Sequence, residues 1–243
     1  MAHESQLHYV PVSVSDENDV LLEPFCVALH PSLRHYPQDD KTVLVLGAGT
    51  IGLCAVAALR ALGSRARILV VVKYPFQGDL ARHYGADEVL LLGQDRKHFQ
   101  TIAELTGGKL YQPVLGKPAM VGGADLVYEC VGSDTSVDDA LRLTTAGGKM
   151  VLLGSTGVPR GVDWTPIWFH ELTVVGTYAG GIETYQDRRI PTLEVALELI
   201  AQGKVNLTPL LTHKFPLDEY RRAFQTLAAK GPNRVLKAVF THD

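Results

Sequence analysis

Residues 42–52 read Thr-Val-Leu-Val-Leu-Gly-Ala-Gly-Thr-Ile-Gly, an apolar run that leads directly into a glycine-rich turn. The five residues before Gly47 favour a buried strand, and the almost wholly apolar residues 50–62 predict a helix that begins where the turn ends. Gly47 permits a tight turn, Gly49 lets a ligand approach the backbone, and Gly52 lets the helix pack closely on the sheet. This order of strand, glycine turn and helix is typical of a fold that binds a dinucleotide through its pyrophosphate.

The start of the helix is the expected phosphate contact. A helix amino terminus offers unpaired N–H groups and a positive dipole end, so Thr50 and Ile51 are assigned to the phosphates. Together with Gly47, Gly49 and Gly52 they form the predicted pyrophosphate site.

The rest of the sequence alternates short β-branched runs with longer helical patterns, and this alternation predicts a parallel sheet covered by helices. Six strands are expected over residues 42–46, 67–72, 88–91, 125–129, 149–153 and 172–178. Further helices are expected over residues 77–84, 99–105 and 136–143, with a Gly- and Pro-rich surface excursion over residues 107–123. Two such halves form a doubly wound α/β sheet, whose ligand lies outside the carboxyl ends of the strands.

Residues 179–243 do not extend this alternation. Helices are expected over residues 192–202 and 217–230, and strands over residues 211–215 and 235–240. These elements predict part of another, smaller domain.

Composition and charge exclude several classes of protein. The chain has 243 residues, of which 46% are hydrophobic and 20% charged, and this is typical of an ordinary globular protein. A formal charge of −3, without a dense basic run, predicts neither a nucleic-acid partner nor an anionic membrane surface. No apolar stretch has the roughly 20 residues of a membrane span. The first five residues lack a secretory signal, which predicts a cytoplasmic location.

The three cysteines do not predict a metal site. Cys26, Cys54 and Cys130 lie far apart in the sequence, and none belongs to a C-x-x-C pair. We interpret them as reduced thiols, with Cys54 and Cys130 as small buried hydrophobic residues.

The end of the second strand indicates which dinucleotide binds. An acidic residue that would hold the adenosine ribose is expected about 20 residues after the turn, but residues 70–74 read Val-Val-Val-Lys-Tyr. A cation there suits the 2′-phosphate of NADP, so Lys73 is the candidate contact, with Gln77 and Arg82 as helpers and Tyr74 packing against the adenine. Alternatively, Lys73 is a solvated strand-end residue and NAD binds through its pyrophosphate alone.

Several segments together resemble the medium-chain dehydrogenases of the zinc-type alcohol dehydrogenase class, in particular the sorbitol and threonine dehydrogenase branch. They cover nearly the whole chain and include the Glu-Pro of residues 20–30, which precedes a small residue and a histidine. The others are residues 125–132, 146–155, 171–176 and 211–217.

The resemblance assigns further residues to the cofactor. In that family the backbone near Val131, Gly132, Gly154 and Ser155 would line the nicotinamide ring, and Lys237 would reach the pyrophosphate. Relatives pair through the edge of the sixth strand, which implies a homodimer.

The chain also departs from the family. The amino-terminal catalytic domain, with the cysteine and the Gly-His-Glu motif that bind the catalytic zinc, is not recognisable, and His3-Glu4 lies too close to the terminus to be that motif. Glu23 matches a position that ligates the zinc or its water, and it is the one candidate catalytic residue. Zinc needs three protein ligands, so we expect no metal site in this chain. The expected divisions are a catalytic-domain remnant with a linking helix over residues 1–34, a dinucleotide-binding domain over residues 35–178, and a return to the catalytic domain over residues 179–243.

The resemblance implies hydride transfer between a small secondary alcohol and NADP or NAD, with zinc as the Lewis acid, this chain being the cofactor-binding part. A stand-alone nicotinamide-binding module without catalysis is the alternative. A methyltransferase is disfavoured by the missing strand-2 acid, and a short-chain dehydrogenase by Arg189 four residues after Tyr185, where that class has lysine. His30, His213 and Glu129 are interpreted as structural or surface residues.

Overall fold

A six-stranded parallel sheet forms the centre of the molecule. The structure is a computed structural model, and it describes residues 7–93, 96–114 and 117–242. The strands are β1 (Thr42–Leu46), β2 (Arg67–Val72), β3 (Glu88–Leu91), β4 (Lys109–Tyr111), β5 (Ala119–Val121), β6 (Ala124–Glu129), β7 (Thr144–Leu152), β8 (Thr173–Gly176), β9 (Ile182–Tyr185), β10 (Arg188–Pro191), β11 (Leu211–Pro216) and β12 (Lys237–Thr241).

Helices cover both faces of this sheet and form most of the two ends of the chain. The α-helices are α1 (Asp16–Asp19), α2 (Leu22–Arg34), α3 (Thr50–Ala61), α4 (Pro75–His83), α5 (Lys97–Thr106), α6 (Asp134–Leu143), α7 (Thr165–Phe169), α8 (Thr192–Ala201) and α9 (Tyr220–Ala228), and short 3-10 helices lie at Thr208–Leu210 and Leu217–Glu219. No helix among the described residues is both long and apolar enough to span a bilayer.

The central sheet has the strand order β3-β2-β1-β6-β7-β8, and every pair in it is parallel. The chain builds outward from β1 on one side, then crosses to β6 and builds outward on the other. This order is that of a doubly wound α/β fold, as the sequence predicts. The reversal between β1 and β6 opens a crevice at their carboxyl ends, where such sheets bind ligands.

Several regions differ from the expected elements, and two of them lie in or beside the central sheet. β7 begins at Thr144, five residues before the predicted start at Lys149, and a register shift between Ala124 and Leu126 on its partner β6 accommodates the early start. Gly147 and Gly148 hide this extension, because glycine is not a strand signal. The expected surface excursion over residues 107–123 contains an antiparallel pair, β4 with β5.

A single apolar core crosses both predicted domain boundaries. It includes Phe25 and Leu29 of α2, Leu53 of α3, and Val195 and Leu199 of α8, and all five side chains are fully buried. α2 packs against α3 and α8, so the first and last parts of the described chain rest on the sheet domain. The division into residues 1–34, 35–178 and 179–243 stays a prediction.

A hairpin formed by β9 and β10 was not expected from the sequence. Its two-residue turn, Gln186-Asp187, has φ of +50° and +61°. Such turns usually contain Asn-Gly or Asp-Gly, so this one carries no recognisable signal.

A buried carboxylate fastens the hairpin to α2 and α8. Glu183, with a side chain only 2% exposed, accepts hydrogen bonds from Arg34 at 3.1 Å and Thr192 at 2.8 Å, and it pairs with His30. Burial opposes the charge of Glu183, but the hydrogen bonds from His30, Thr192 and Arg34 outweigh it and hold the pKa of this carboxyl below its usual value. His30 is therefore a structural histidine, in agreement with the sequence interpretation.

Candidate functional site

A cleft of about 370 Å³ opens at the carboxyl ends of β1 and β6, where the fold predicts a ligand. The glycine turn forms one wall, and the ends of β2 and β6 with the first turns of α6 form the others. The lining residues are Leu46, Gly47, Ala48, Gly49, Val71, Val72, Lys73, Gln77, Leu92, His98, Cys130, Val131, Ser133, Thr135, Ser136 and Asp139.

The surroundings of the three glycines in the turn agree with their predicted roles: two have no room for a side chain, and the third faces open space. Gly47 has φ of +94°, and a Cβ on it would lie 2.4 Å from Cγ2 of Val131. A Cβ on Gly52 would lie 1.8 Å from the carbonyl oxygen of Gly47, so only glycine lets α3 pack this closely. Gly49 faces open space, with no atom within 4 Å of a Cβ placed there. The turn thus leaves the approach to the backbone at Gly49 open.

The amino terminus of α3 is free to bind an anion. Gly49 is the N-cap of α3, and no side chain caps the helix. Its first N–H groups, including those of Thr50 and Ile51, are therefore available to phosphate. The Thr50 hydroxyl donates to the carbonyl oxygen of Leu236 at 3.4 Å, which brings the start of β12, and so Lys237, to the same end of α3.

Lys73 is exposed at the rim of the cleft. Its Nζ lies 5.5 Å from the centre of the Tyr74 ring, and none of the described carboxylates forms an ion pair with it. Gln77 lies at the same rim, and its Oε1 accepts from the backbone N–H groups of Lys73 and Tyr74, both at 3.1 Å. Gln77 thus orders the loop that carries the free lysine.

The structure places two other predicted contacts away from the lining. The ring of Tyr74 stacks with Phe76 at 5.9 Å and lies against Gly231. Nη1 of Arg82 lies 3.8 Å from Oδ1 of Asp79 on the same helix. The roles of Tyr74 and Arg82 in cofactor binding stay predictions.

Glu129 holds together the loops that follow β6 and β7. Fully buried, it accepts from the backbone N–H groups of Val131 and Gly132 through Oε1, both at 2.9 Å. A Cβ on Gly132 would lie 2.8 Å from the Ser155 nitrogen, and one on Gly154 would lie 2.2 Å from the Gly132 nitrogen. The four residues predicted to line the nicotinamide therefore meet in one place, and Glu129 is a structural carboxylate there.

Glu23 lies outside the cleft, beside a separate cavity of about 390 Å³ that His8 and Cys26 also line. Burial, aided by the charge of Glu23, raises the pKa of the Cys26 thiol to about 12, so this cysteine is a protonated thiol at neutral pH. Within residues 7–93, 96–114 and 117–242, no group of three or more His, Cys, Asp or Glu side chains is placed to hold a metal ion. The described residues do not fit a zinc site.

Cys54 is a buried thiol, whereas Cys130, expected to be buried, is only partly buried because it lines the cleft. All three cysteines are free, and burial raises the pKa of Cys54 and of Cys130. The interpretation of these residues as reduced, unreactive side chains agrees with this geometry.

The sheet order and the glycine cleft define a dinucleotide-binding fold of the doubly wound class. A family model described as "Zinc-binding dehydrogenase" matches residues 50–195. The chain belongs to this family.

Curated relatives extend beyond the length of this chain. An L-idonate 5-dehydrogenase of Vitis vinifera is 29% identical over 97% of this chain and 59% of its own length. A sorbitol dehydrogenase of Arabidopsis thaliana is 31% identical over 97% of this chain and 60% of its own length. The chain therefore spans about 60% of the curated relatives that it matches.

Solved structures share the fold. A protein of Escherichia coli CFT073, described as a "short chain alcohol dehydrogenase" and solved with NADH, has a TM-score of 0.76 at 22% identity, and the match covers 97% of this chain and 62% of the other. A zinc-binding dehydrogenase of Sinorhizobium meliloti 1021, solved with NADP, has a TM-score of 0.73 at 24% identity. The match covers 98% of this chain and 63% of the other.

Sequence reasoning missed the polar residues at the bottom of the cleft. Ser136 and Asp139 are three positions apart near the start of a helix, which places them on one face, and this spacing is a signal that the sequence does contain. His98 carries no signal, because only the path of the chain after β3 brings it to the cleft.

Proposed function

We propose that this chain is the cofactor-binding part of an oxidoreductase that transfers hydride between a secondary alcohol and NADP. The open approach to the backbone at Gly49, beside the uncapped amino terminus of α3, carries the proposal. The relatives named as polyol and threonine dehydrogenases support the alcohol as substrate. Lys73, exposed at the cleft rim, supports NADP over NAD.

The described residues position the cofactor and do not complete a metal centre. The glycine turn would bind the pyrophosphate, and the loops held by Glu129 would orient the nicotinamide, which supplies or accepts the hydride. Glu23 is the one residue that the family resemblance connects with zinc, and it lacks partners among the residues of the structure.

Replacing Lys73 with alanine should weaken the binding of NADPH and leave the binding of NADH unchanged. A lysine that contacts a phosphate contributes about 1.5–3 kcal/mol, so Lys73→Ala should weaken NADPH binding by roughly tenfold to a hundredfold. NADH lacks the 2′-phosphate and should bind the variant as it binds the wild type. Fluorescence titration of the full chain with both nucleotides measures the two effects.

The matched control is Lys204→Ala, which removes an exposed lysine at the carboxyl end of α8. Its NADPH affinity should equal that of the wild type. Equal affinity of the wild type for NADPH and NADH, or a Lys73→Ala variant that still binds NADPH normally, would contradict the assignment of NADP.

A non-catalytic nicotinamide-binding module is the second candidate. It predicts tight NADPH binding without alcohol oxidation even when the chain is joined to whatever domain accompanies it. Alcohol-dependent NADPH formation by such a full-length protein would eliminate this alternative.

We also propose that the chain forms a homodimer through β8. This strand lies at the edge of the central sheet, and Val174 in it is partly exposed. An uncovered apolar strand edge is a template for pairing. Light scattering should therefore give a dimeric mass for the wild type and a monomeric mass for Val174→Lys, while Val158→Lys, in an exposed loop, should stay dimeric. A monomeric wild type at high concentration would refute the proposal.

A further inference from the structure

Two ionisable side chains are buried at the bottom of the cleft. His98 is the second residue of α5, and Asp139 lies in α6. Their side chains are only 2% and 8% exposed, yet both line the cavity that Gly49 and Lys73 also line. The site is therefore a polar floor in a cleft whose other walls include Val72, Leu92 and Val131.

Each member of this pair has an atom without a hydrogen-bond partner. Nδ1 of His98 and Oδ1 of Asp139 are buried, and no described residue forms a hydrogen bond with either. Such atoms are costly inside a protein, and most have a partner. Two buried polar atoms without partners, on side chains that line one cleft, are the features of a site that a ligand completes.

The side chains nearest to Asp139 leave its hydrogen-bonding capacity unused. Nη1 of Arg96 lies 3.6 Å from Oδ1 of Asp139, and Nε2 of His98 lies 3.8 Å from Oδ2. Both separations exceed hydrogen-bond length. If the only role of the cluster were to fasten α5 to α6, we would expect contacts as short as those of the neighbouring Asp138, which is 3.0 Å from Arg142. The longer distances leave Oδ1 able to accept from a ligand.

We propose that His98 and Asp139 recognise the edge of the purine base of the bound dinucleotide, an inference that rests on the proposed function. The apolar walls suit a flat ring, and the polar floor suits its edge. Asp139 would accept a hydrogen bond from the 6-amino group, and an N–H of His98 would donate to N1 of the ring, which is an acceptor in adenine but carries a proton in a 6-oxo base. The pair thereby selects adenine over a base with a 6-oxo group, because the oxo group places an acceptor opposite the carboxylate.

The test compares NADPH with its hypoxanthine counterpart, in which an oxo group replaces the 6-amino group. Binding of each to the full chain is measured by fluorescence titration. Loss of one charge-assisted hydrogen bond should make the hypoxanthine dinucleotide bind roughly tenfold to a hundredfold more weakly to the wild type. Both share the phosphates and the nicotinamide, so their affinity ratio reports on the base alone.

In Asp139→Asn the affinities for NADPH and for its hypoxanthine counterpart should differ by no more than about threefold, because an amide can donate to the oxo group as well as accept from an amino group. His98→Phe should also bring the two affinities closer together, since only adenine has an unprotonated N1 that can accept from His98. Asp134→Asn is the matched control, because Asp134 is an exposed acid in the same helix that does not line the cleft. This control should keep the wild-type ratio.

Equal binding of the two dinucleotides by the wild type would overturn the proposal without any variant. A wild-type preference that persists in both Asp139→Asn and His98→Phe would overturn it as well. If the wild type binds neither dinucleotide, the proposed function itself fails. If it binds both equally, the cofactor-binding function stands and only the base recognition is wrong.

Discussion

Replacing Glu183 with alanine should lower the free energy of unfolding by about 3 kcal/mol, because removing one partner of a buried ion pair leaves the others unpaired. His30, Arg34 and Thr192 would all lose their common acceptor. The hairpin of β9 and β10 would lose its polar attachment to α2. Urea unfolding followed by circular dichroism measures the change.

The matched control is Glu198→Ala, which removes a carboxylate paired with Arg188 at 2.7 Å on the surface. Surface pairs contribute about 0–1 kcal/mol, so this variant should unfold close to the wild type. A loss at Glu183 no larger than that at Glu198 would show that the buried cluster does not stabilise the fold.

The same carboxylate should give the wild type an acid-sensitive component of stability. The folded state holds the pKa of Glu183 below its usual value, so the unfolded chain binds this proton more readily. This stability is fully present above the unfolded pKa of about 4.3 and is lost as the pH falls through the folded pKa. Glu183→Ala should lack this component, which unfolding curves between pH 5 and pH 3 would reveal.

Alanine substitutions at Gly52 and at Gly49 should affect different properties: the first should lower stability and the second should weaken NADPH binding. Gly52→Ala should lower stability by about 1–3 kcal/mol, as overpacking does, because its Cβ would lie 1.8 Å from a backbone oxygen that no rotamer change can move. The higher helix propensity of alanine, worth about 1 kcal/mol, does not offset this clash. Gly49→Ala should keep the melting temperature of the wild type but weaken NADPH binding by at least about tenfold, because its methyl group occupies the approach to the backbone.

Gly157→Ala serves as the control for both variants, since its Cβ would also meet no atom within 4 Å and it lies outside the cleft lining. It should match the wild type in stability and in NADPH affinity. Normal NADPH binding by Gly49→Ala would mean that the ligand does not approach the turn as we propose.

The central sheet could be predicted because its signals are local. β1 and β2 are uninterrupted β-branched and aliphatic runs, and the observed bounds of both match the predicted ones. The glycine turn needs three residues at fixed spacing, so its position follows from the sequence. β7 was predicted too short because its first residues include two glycines, which pack at a bulge rather than follow the strand preference.

The polar clusters could not be predicted, because they depend on residues distant in sequence. His30 and Glu183 are 153 positions apart and meet only because α2 and the hairpin pack on one side of the sheet. His98 and Asp139 meet because α5 and α6 both begin near the cleft. Neither pair has a characteristic spacing, so the fold must be known before the contacts appear.

The apolar core that α2 and α8 share with α3 makes the cofactor-binding fold a single cooperative unit. A fragment that begins after α2 would expose Leu53 and its neighbours to water. This exposure would cost about 25 cal/mol of folding free energy for each Å² of apolar surface. The nucleotide cleft is therefore thermodynamically coupled to helices at both ends of the described chain. Ligand binding at the glycine turn should slow the hydrogen exchange of those α2 and α8 amides that exchange through global opening.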